Sequence, residues 1–224
     1  MNGIRQRRGA GAAFIASGAV FFVAEFIAAA AWTDPPYSYT HHFISNLGVR
    51  GPLTAFGQYI YSPLAPVMNT GVFLVGLAAL AGVALLRGLP GGRRVALIVT
   101  AAVLAAGMIL VALFPGTGDD GTGDYHGMGA ALAFVSGNVL SILLGGARRF
   151  LGVPAGTGRA LVLSGVLGLI SVVAFGAILA SDAGVLIGLA ERGIVYPFLL
   201  GFILLGATIL TRGRSGRAAE ATRG

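Results

Sequence analysis

Few residues of this chain could perform acid–base chemistry, and most of them lie at the ends of long apolar segments. Glu25 is the only carboxylate well inside such a segment. Burial in an apolar medium disfavours the charged form of a carboxyl group, so it can exchange a proton near neutral pH. Glu25 is therefore a candidate catalytic acid or base. The alternatives are a neutral Glu25 that only hydrogen-bonds a neighbouring helix and a charged Glu25 paired with an arginine, most plausibly Arg192.

A second group of ionisable residues precedes the fourth apolar segment, where residues 119–127 read DDGTGDYHG. Carboxylates beside an imidazole can bind a metal ion, but this spacing matches neither a calcium loop nor the HExxH zinc motif. We therefore predict no metal site. Asp119 and Asp120 are typical of a solvated loop, whereas Asp124 and His126 adjoin the fourth span and are candidate catalytic residues.

The remaining polar candidates are predicted to bind substrate. Arg192 could hold a phosphate or carboxylate, or it could form a plain ion pair with the adjacent Glu191. Asn69 could equally be an interhelical hydrogen bonder. The predicted substrate-binding residues are His42, Ser45, Asn46, Asn69, Glu191 and Arg192.

Composition defines the elements that must position these residues. The 224-residue chain is 56% hydrophobic and only 10% charged, whereas soluble domains carry roughly 25% charged residues. The absence of cysteine excludes disulfides, thiolate metal sites and a cysteine nucleophile. Each of six apolar segments is long enough to cross a bilayer. They cover about residues 10–32, 63–86, 95–114, 127–145, 161–180 and 194–210.

These segments predict an all-α bundle of six transmembrane helices in one domain, residues 1–211. The charged, Gly/Ala-rich tail, residues 212–224, is predicted to be disordered. The first segment resembles a signal peptide, but it is too long for one and carries Glu25, so we expect a retained helix.

The basic residues predict the orientation of the bundle. All fifteen are arginines, and thirteen of them lie on one side of the predicted spans. The positive-inside rule makes that side cytoplasmic, with both termini, in a multi-pass protein of the cell membrane. The strongly basic pI is thus explained by topology and predicts no nucleic-acid partner. These thirteen arginines fall within residues 5–8, 87–94, 148–159 and 212–223.

The first extracytoplasmic loop, about residues 33–62, is long for a membrane protein of this size. Its Phe43, Ile44 and Leu47 favour a short amphipathic helix that lies on the membrane or dips into the bundle. We expect this loop to fold over the bundle, with His126 and Arg192 lining one pocket above Asn69 and Glu25.

Short motifs recur in order over nearly the whole chain and resemble those of a prokaryotic six-helix membrane family, domain of unknown function 998. The resemblance implies six spans and no established activity. The family usually has Asp where this chain has Asn46, so any role of that position as a base or metal ligand would be lost or altered here. In chain order, the matching segments are Tyr39 and residues 44–48, then residues 62–63 and 69–71, then residues 113–115 and 126–127, and finally residues 188–192.

Three functions stay open from the sequence. The first is an intramembrane enzyme acting on a lipid or isoprenoid, cyclase-like or hydrolase-like, with Glu25 as acid or base. The second is a transporter of a small solute, although the inner halves of the spans supply few polar residues. The third is a non-catalytic protein that binds membrane lipid or a partner. The sequence identifies neither a cofactor nor an oligomeric state.

Overall fold

The computed structural model describes residues 2–55, 57–116, 122–181 and 186–221, and most of them are α-helical. Six helices are long and apolar enough to cross a membrane, which confirms the predicted six-span architecture. They are α1 (Asn2–Ala31), α2 (Ala65–Ala84), α3 (Gly91–Leu113), α4 (Gly123–Gly146), α6 (Ala155–Ala180) and α7 (Ile187–Ala221). The short α5 (Arg148–Leu151) lies between α4 and α6.

Five of the six long helices, all but α2, begin earlier than the apolar segments predicted. α4 begins at Gly123, α6 at Ala155 and α7 at Ile187. Hydropathy marks only the apolar part of a helix, whereas hydrogen-bonded turns continue through its polar first residues. As a consequence, the polar residues 124–126 and 191–192 lie on helices rather than in loops.

The last helix also continues past the predicted end of its span. Its backbone is helical through Ala221, and the disorder of residues 212–224 stays a prediction. Alanine, arginine and glutamate, which are frequent in this segment, are good helix formers. Residues 222–224 lie outside the described residues.

The six long helices form a closed ring. Neighbours follow chain order from α1 to α4, then α6 and α7, and α7 returns to α1, while α4 and α7 also touch across the ring. Glycine allows close approach: a Cβ on Gly107 of α3 would lie 2.7 Å from the carbonyl oxygen of Gly129 on α4.

Helices α6 and α7 differ most in burial. Half of the apolar stretch of α7 is buried, against 17% of that of α6. Phe198, Phe202 and Leu205 of α7 belong to the buried core. We conclude that α7 is the most buried of the six long helices and that most of α6 faces lipid.

The segment between α1 and α2, residues 32–64, is called loop one below. It contains a 3₁₀ turn (Ser45–Gly48) and an antiparallel hairpin of β1 (Leu53–Ala55) and β2 (Gln58–Ile60), so the expected amphipathic helix is reduced to one turn. The turn ends at Gly48 because the next residue, Val49, is already extended, with φ of −104° and ψ of 119°.

Loop one nevertheless enters the end of the bundle, as predicted. Leu47 is completely buried and Ile44 is nearly so. Asn69 of α2 donates from Nδ2 to the Gly48 carbonyl at 2.9 Å, and the Ser62 hydroxyl donates to the Leu47 carbonyl at 2.8 Å.

At the opposite end, arginines hold the carboxyl ends of helices. Arg94 donates to the Leu86 carbonyl just beyond α2 at 2.7 Å, and Arg93 donates to the Gly146 carbonyl of α4 at 3.1 Å. Carbonyls at helix ends lack intrahelical donors, so a cation there is stabilising. These arginines therefore have a structural role besides any effect on topology.

Candidate functional site

An ion pair between the first and last helices lies at the loop-one end of the bundle. Arg192 Nη2 of α7 donates to Glu25 Oε1 of α1 at 2.8 Å, and the side chains are only 5% and 2% exposed. The Tyr196 hydroxyl donates to Glu25 Oε2 at 2.8 Å. Both oxygens of the carboxylate are therefore occupied.

The Arg192 guanidinium is also saturated. Nη2 donates to the Tyr37 hydroxyl at 2.5 Å, and Nε donates to the Tyr196 hydroxyl at 3.2 Å. Nη1 donates to the carbonyls of Tyr39 and Gly188 at 2.6 and 2.9 Å, with the His42 carbonyl at 3.3 Å. Every N–H of the guanidinium thus has an acceptor within the protein.

This cluster of Glu25, Tyr37, Tyr39, Arg192 and Tyr196 is called the clamp below. It joins α1, loop one and α7. In this geometry Glu25 is paired with Arg192, and Arg192 has no donor left for a ligand. Removing one partner of a buried ion pair costs roughly 3–5 kcal/mol, so the clamp has a structural role that sequence alone did not reveal.

Gly188 explains how the loop-one backbone reaches α7. A Cβ at this position would lie 2.9 Å from the Tyr39 carbonyl oxygen, so only glycine leaves room for that carbonyl. The next amide, that of Leu189, donates to the Thr40 carbonyl at 3.2 Å.

His42 belongs to an aromatic stack beside the clamp. Its ring stacks on Trp32 with centroids 5.0 Å apart, and its Nδ1 accepts from the Ser38 amide at 2.9 Å. Burial, followed by the positive charges of His41 and Arg192, lowers the pKa of His42. Burial likewise raises the pKa of Tyr37, so its hydroxyl stays protonated. The predicted substrate-binding residue His42 therefore packs in loop one and does not line the cavity described next.

A cavity of about 670 Å³ lies between loop one, α4 and α6. Aliphatic and aromatic side chains, among them Phe134, Val172 and Phe175, form its walls. The predicted site residues that line it are Ser45, Asn46, Asp124, His126 and Glu191. We call this space the outer cavity.

A smaller cavity of about 40 Å³ adjoins the outer cavity. The two share Ser45, His126 and Glu191, and the smaller one is also lined by Asn69. Its remaining walls, such as Met68 and Met108, are largely apolar.

His126 presents one ring nitrogen to these cavities. Its Nδ1 lies 2.7 Å from the Phe114 carbonyl oxygen, which can only accept, so Nδ1 carries the proton. In the neutral ring, Nε2 is then an acceptor, and it has no partner among the described residues. The hydrogen bond from Nδ1 to the Phe114 carbonyl fixes the tautomer and orientation of the ring, as such bonds do for catalytic and ligand-binding histidines.

Glu191 is the buried carboxylate of the outer cavity, 5% exposed as a residue. Its Oε2 accepts a short hydrogen bond from the Ile44 amide, and the Ser45 amide is a further backbone donor. Glu191 therefore holds loop one at α7 while it also lines the cavity.

The other lining residues differ in exposure. Asn46 is buried and donates to Gln58 Oε1 of β2 at 2.6 Å, which fixes its amide. Asp124 is exposed in the first turn of α4. Asp119 and Asp120, predicted to form a solvated loop, lie outside the described residues.

The predicted convergence on one pocket is therefore only partly realised. His126 and Asn69 do line a common cavity, but Glu191 takes the place of Arg192, and Glu25 lies in the clamp. The sequence analysis assigned no site role to Tyr37, Tyr39 or Tyr196, although the four-residue spacing of Arg192 and Tyr196 places them on one face of a helix. In the described part of the chain, no three His, Cys, Asp or Glu side chains are grouped to hold a metal ion.

The fold and these clusters define a multi-pass membrane protein whose loop-one end is closed by an ion-paired clamp beside a mainly apolar cavity. A family model described as protein of unknown function (DUF998) matches residues 14–208, and the chain belongs to that family. No curated protein and no solved structure matches the chain.

Proposed function

We propose that this protein binds an amphipathic molecule of lipid or isoprenoid type in the outer cavity. The observation that carries this proposal is the distribution of polarity: polar side chains from loop one, α4 and α7 gather at one end, while α4 and α6 supply apolar walls. Pockets of roughly 300–1,000 Å³ with a few convergent polar groups are typical ligand sites.

Access from the bilayer supports a lipid-like ligand. Val135 of α4 and Leu179 of α6 line the outer cavity and are 47% and 48% exposed on the helix surface. An apolar chain can therefore enter between α4 and α6, while exposed Asp124 marks the aqueous side.

We further propose that the outer cavity faces the cell exterior, because the arginine-rich loops lie at the other end of the bundle. The chain lacks cysteine, so single cysteines can be introduced without background. Cysteines at Ser38 and Thr122 should react with an impermeant maleimide on intact cells, and those at Gly92 and Thr157 should not. Reversed labelling would place the cavity on the cytoplasmic side.

The binding proposal is tested by filling the outer cavity. A Cβ on Gly176 of α6 meets nothing within 4 Å, and this residue lines the cavity, so Gly176→Phe adds a ring there without a backbone clash. Gly146 at the end of α4 is equally open but does not line it, so Gly146→Phe is the matched control.

Lipids recovered from gently purified protein should be compared by mass spectrometry. We expect a lipid species that is retained by the natural protein and by Gly146→Phe, and lost from Gly176→Phe. Identical lipid profiles for all three proteins would overturn the proposal.

An acid–base enzyme working on the same ligand is the second candidate. Its support is the pair of His126 and Glu191, a base with a fixed tautomer and a buried carboxylate lining the same cavity. In this form Glu25, predicted as a catalytic acid or base, holds Arg192 instead, and the acid–base roles fall to His126 and Glu191, with Asp124 at the rim. Conversion of an isoprenoid probe by the natural protein, abolished in His126→Asn, would establish it.

A transporter receives less support. The adjoining cavity of about 40 Å³ has Ser45, Asn69, His126 and Glu191 as its polar side chains and is otherwise largely apolar. Solute transport requires polar groups at successive depths, and the described residues supply no such series in a cavity.

A further inference from the structure

The polar end of the outer cavity has a definite electrostatic character. Its side chains include the carboxylates of Asp124 and Glu191 and the unprotonated Nε2 of His126. No arginine lines either cavity in the described part of the chain. The polar end is therefore rich in acceptors and poor in cations.

Arg192 is the candidate cation next to this cavity, but it has no donor left for a ligand. Arg192 is adjacent to Glu191 in sequence, but its donors all meet Glu25, tyrosine hydroxyls and backbone carbonyls. A phosphate entering the outer cavity would meet two carboxylates without a guanidinium or ammonium partner. In a site of low dielectric constant such like charges repel strongly.

From this arrangement we infer that the ligand's head group is a hydrogen-bond donor without negative charge, a hydroxyl or an amine, and not a phosphate or diphosphate. This inference rests on the proposed function, because it names the head group of the same ligand. The donor meets His126 Nε2 and Glu191, and the apolar chain lies between α4 and α6.

Three probes with one hydrocarbon chain test this inference: farnesol, farnesylamine and farnesyl phosphate. Each is titrated into the protein in phosphatidylcholine nanodiscs, with binding counted by native mass spectrometry. Empty nanodiscs and Gly176→Phe protein give the nonspecific background. We expect farnesol or farnesylamine to bind at least about tenfold more tightly than farnesyl phosphate.

Failure of the inference and failure of the proposed function give different results. Farnesyl phosphate binding as tightly as the other probes, and displaced by Gly176→Phe, would overturn the head-group inference and leave the cavity as a ligand site. Binding of no probe above the Gly176→Phe background would overturn the proposed function itself.

Two substitutions of His126 test the acceptor directly. Asn places an amide near the Nδ1 position, where it can still donate to the Phe114 carbonyl, but it offers no acceptor at the Nε2 position. Gln reaches the Nε2 position instead. Farnesol affinity should fall about tenfold in His126→Asn and stay within about threefold in His126→Gln. Equal losses in the two variants would show that Nε2 does not accept from the ligand.

A gain of binding provides a test that loss of folding cannot imitate. Asp124 is exposed at the rim of the cavity, and its side chain forms no hydrogen bond with other described residues, so Asp124→Arg should fold. It exchanges a carboxylate for a cation, and we expect farnesyl phosphate affinity to rise about tenfold. Unchanged phosphate affinity in the folded variant would contradict the electrostatic argument.

Discussion

The clamp and the outer cavity lie at the same end of the bundle, and they use their polar groups in opposite ways. In the clamp, the carboxylate of Glu25 and all donors of Arg192 have partners within the protein. In the outer cavity, His126 keeps an acceptor without a protein partner among the described residues. A polar residue near the membrane surface therefore indicates a ligand site only when its hydrogen-bonding capacity is not already used.

The clamp should respond to substitution by losing stability. Arg192→Met leaves the Glu25 carboxylate buried without its cation, and we expect the free energy of unfolding to fall by roughly 3–5 kcal/mol. Thermal unfolding in detergent, followed by circular dichroism, measures the loss.

The double variant Glu25→Leu/Arg192→Met sharpens this experiment, because no buried charge is left unpaired. It should recover much of the loss, since apolar replacement of a whole buried pair is often neutral. If Arg192→Met alone unfolds at the same temperature as the natural protein, the clamp is not a stabilising element. Glu25 would then again be a candidate functional carboxylate.

The cavity should respond in the opposite way. In Glu191→Gln the side-chain carbonyl can still accept from the Ile44 amide, so we expect a stability loss of about 1 kcal/mol or less. Farnesol binding should nevertheless weaken, because the carboxylate acceptor is gone. A stability loss as large as that of Arg192→Met would place Glu191 with the clamp, and would remove the contrast between the two clusters.

The smallest effect is expected from pH, through His42 beside the clamp. Its pKa is lowered in the folded protein from an ordinary value of 6.5, so the unfolded chain binds the proton more readily. The stability that this difference in the pKa of His42 contributes is fully present above pH 6.5 and decreases as the pH falls below that value.

His42→Asn removes this titration and can keep the acceptor for the Ser38 amide. The natural protein should therefore lose more stability than His42→Asn between pH 6.5 and pH 5, measured by thermal unfolding and by fluorescence of the single tryptophan, Trp32. Parallel curves for the two proteins would show that His42 is not protonated more weakly in the folded state.

Sequence analysis located much of the candidate site but could not separate its two clusters. Ser45, Asn46, Asn69, His126 and Glu191 were recognised because polar residues are expensive in or near a bilayer. Such reasoning does not tell which hydrogen-bonding groups are satisfied within the protein. For that reason Glu25 and Arg192, conspicuous as charges in apolar segments, were assigned to a ligand site although they satisfy each other.

The six spans follow from the sequence alone, because the length and apolarity of a segment decide whether it can cross a bilayer. The pairing of Glu25 with Arg192 does not, since these residues are 167 positions apart and meet only where α7 closes the ring against α1. The separate roles of the adjacent Glu191 and Arg192 do not follow from the sequence alone either. Adjacent residues on an α-helix point about 100° apart, so the packing around α7 directs Glu191 to the cavity and Arg192 to the clamp.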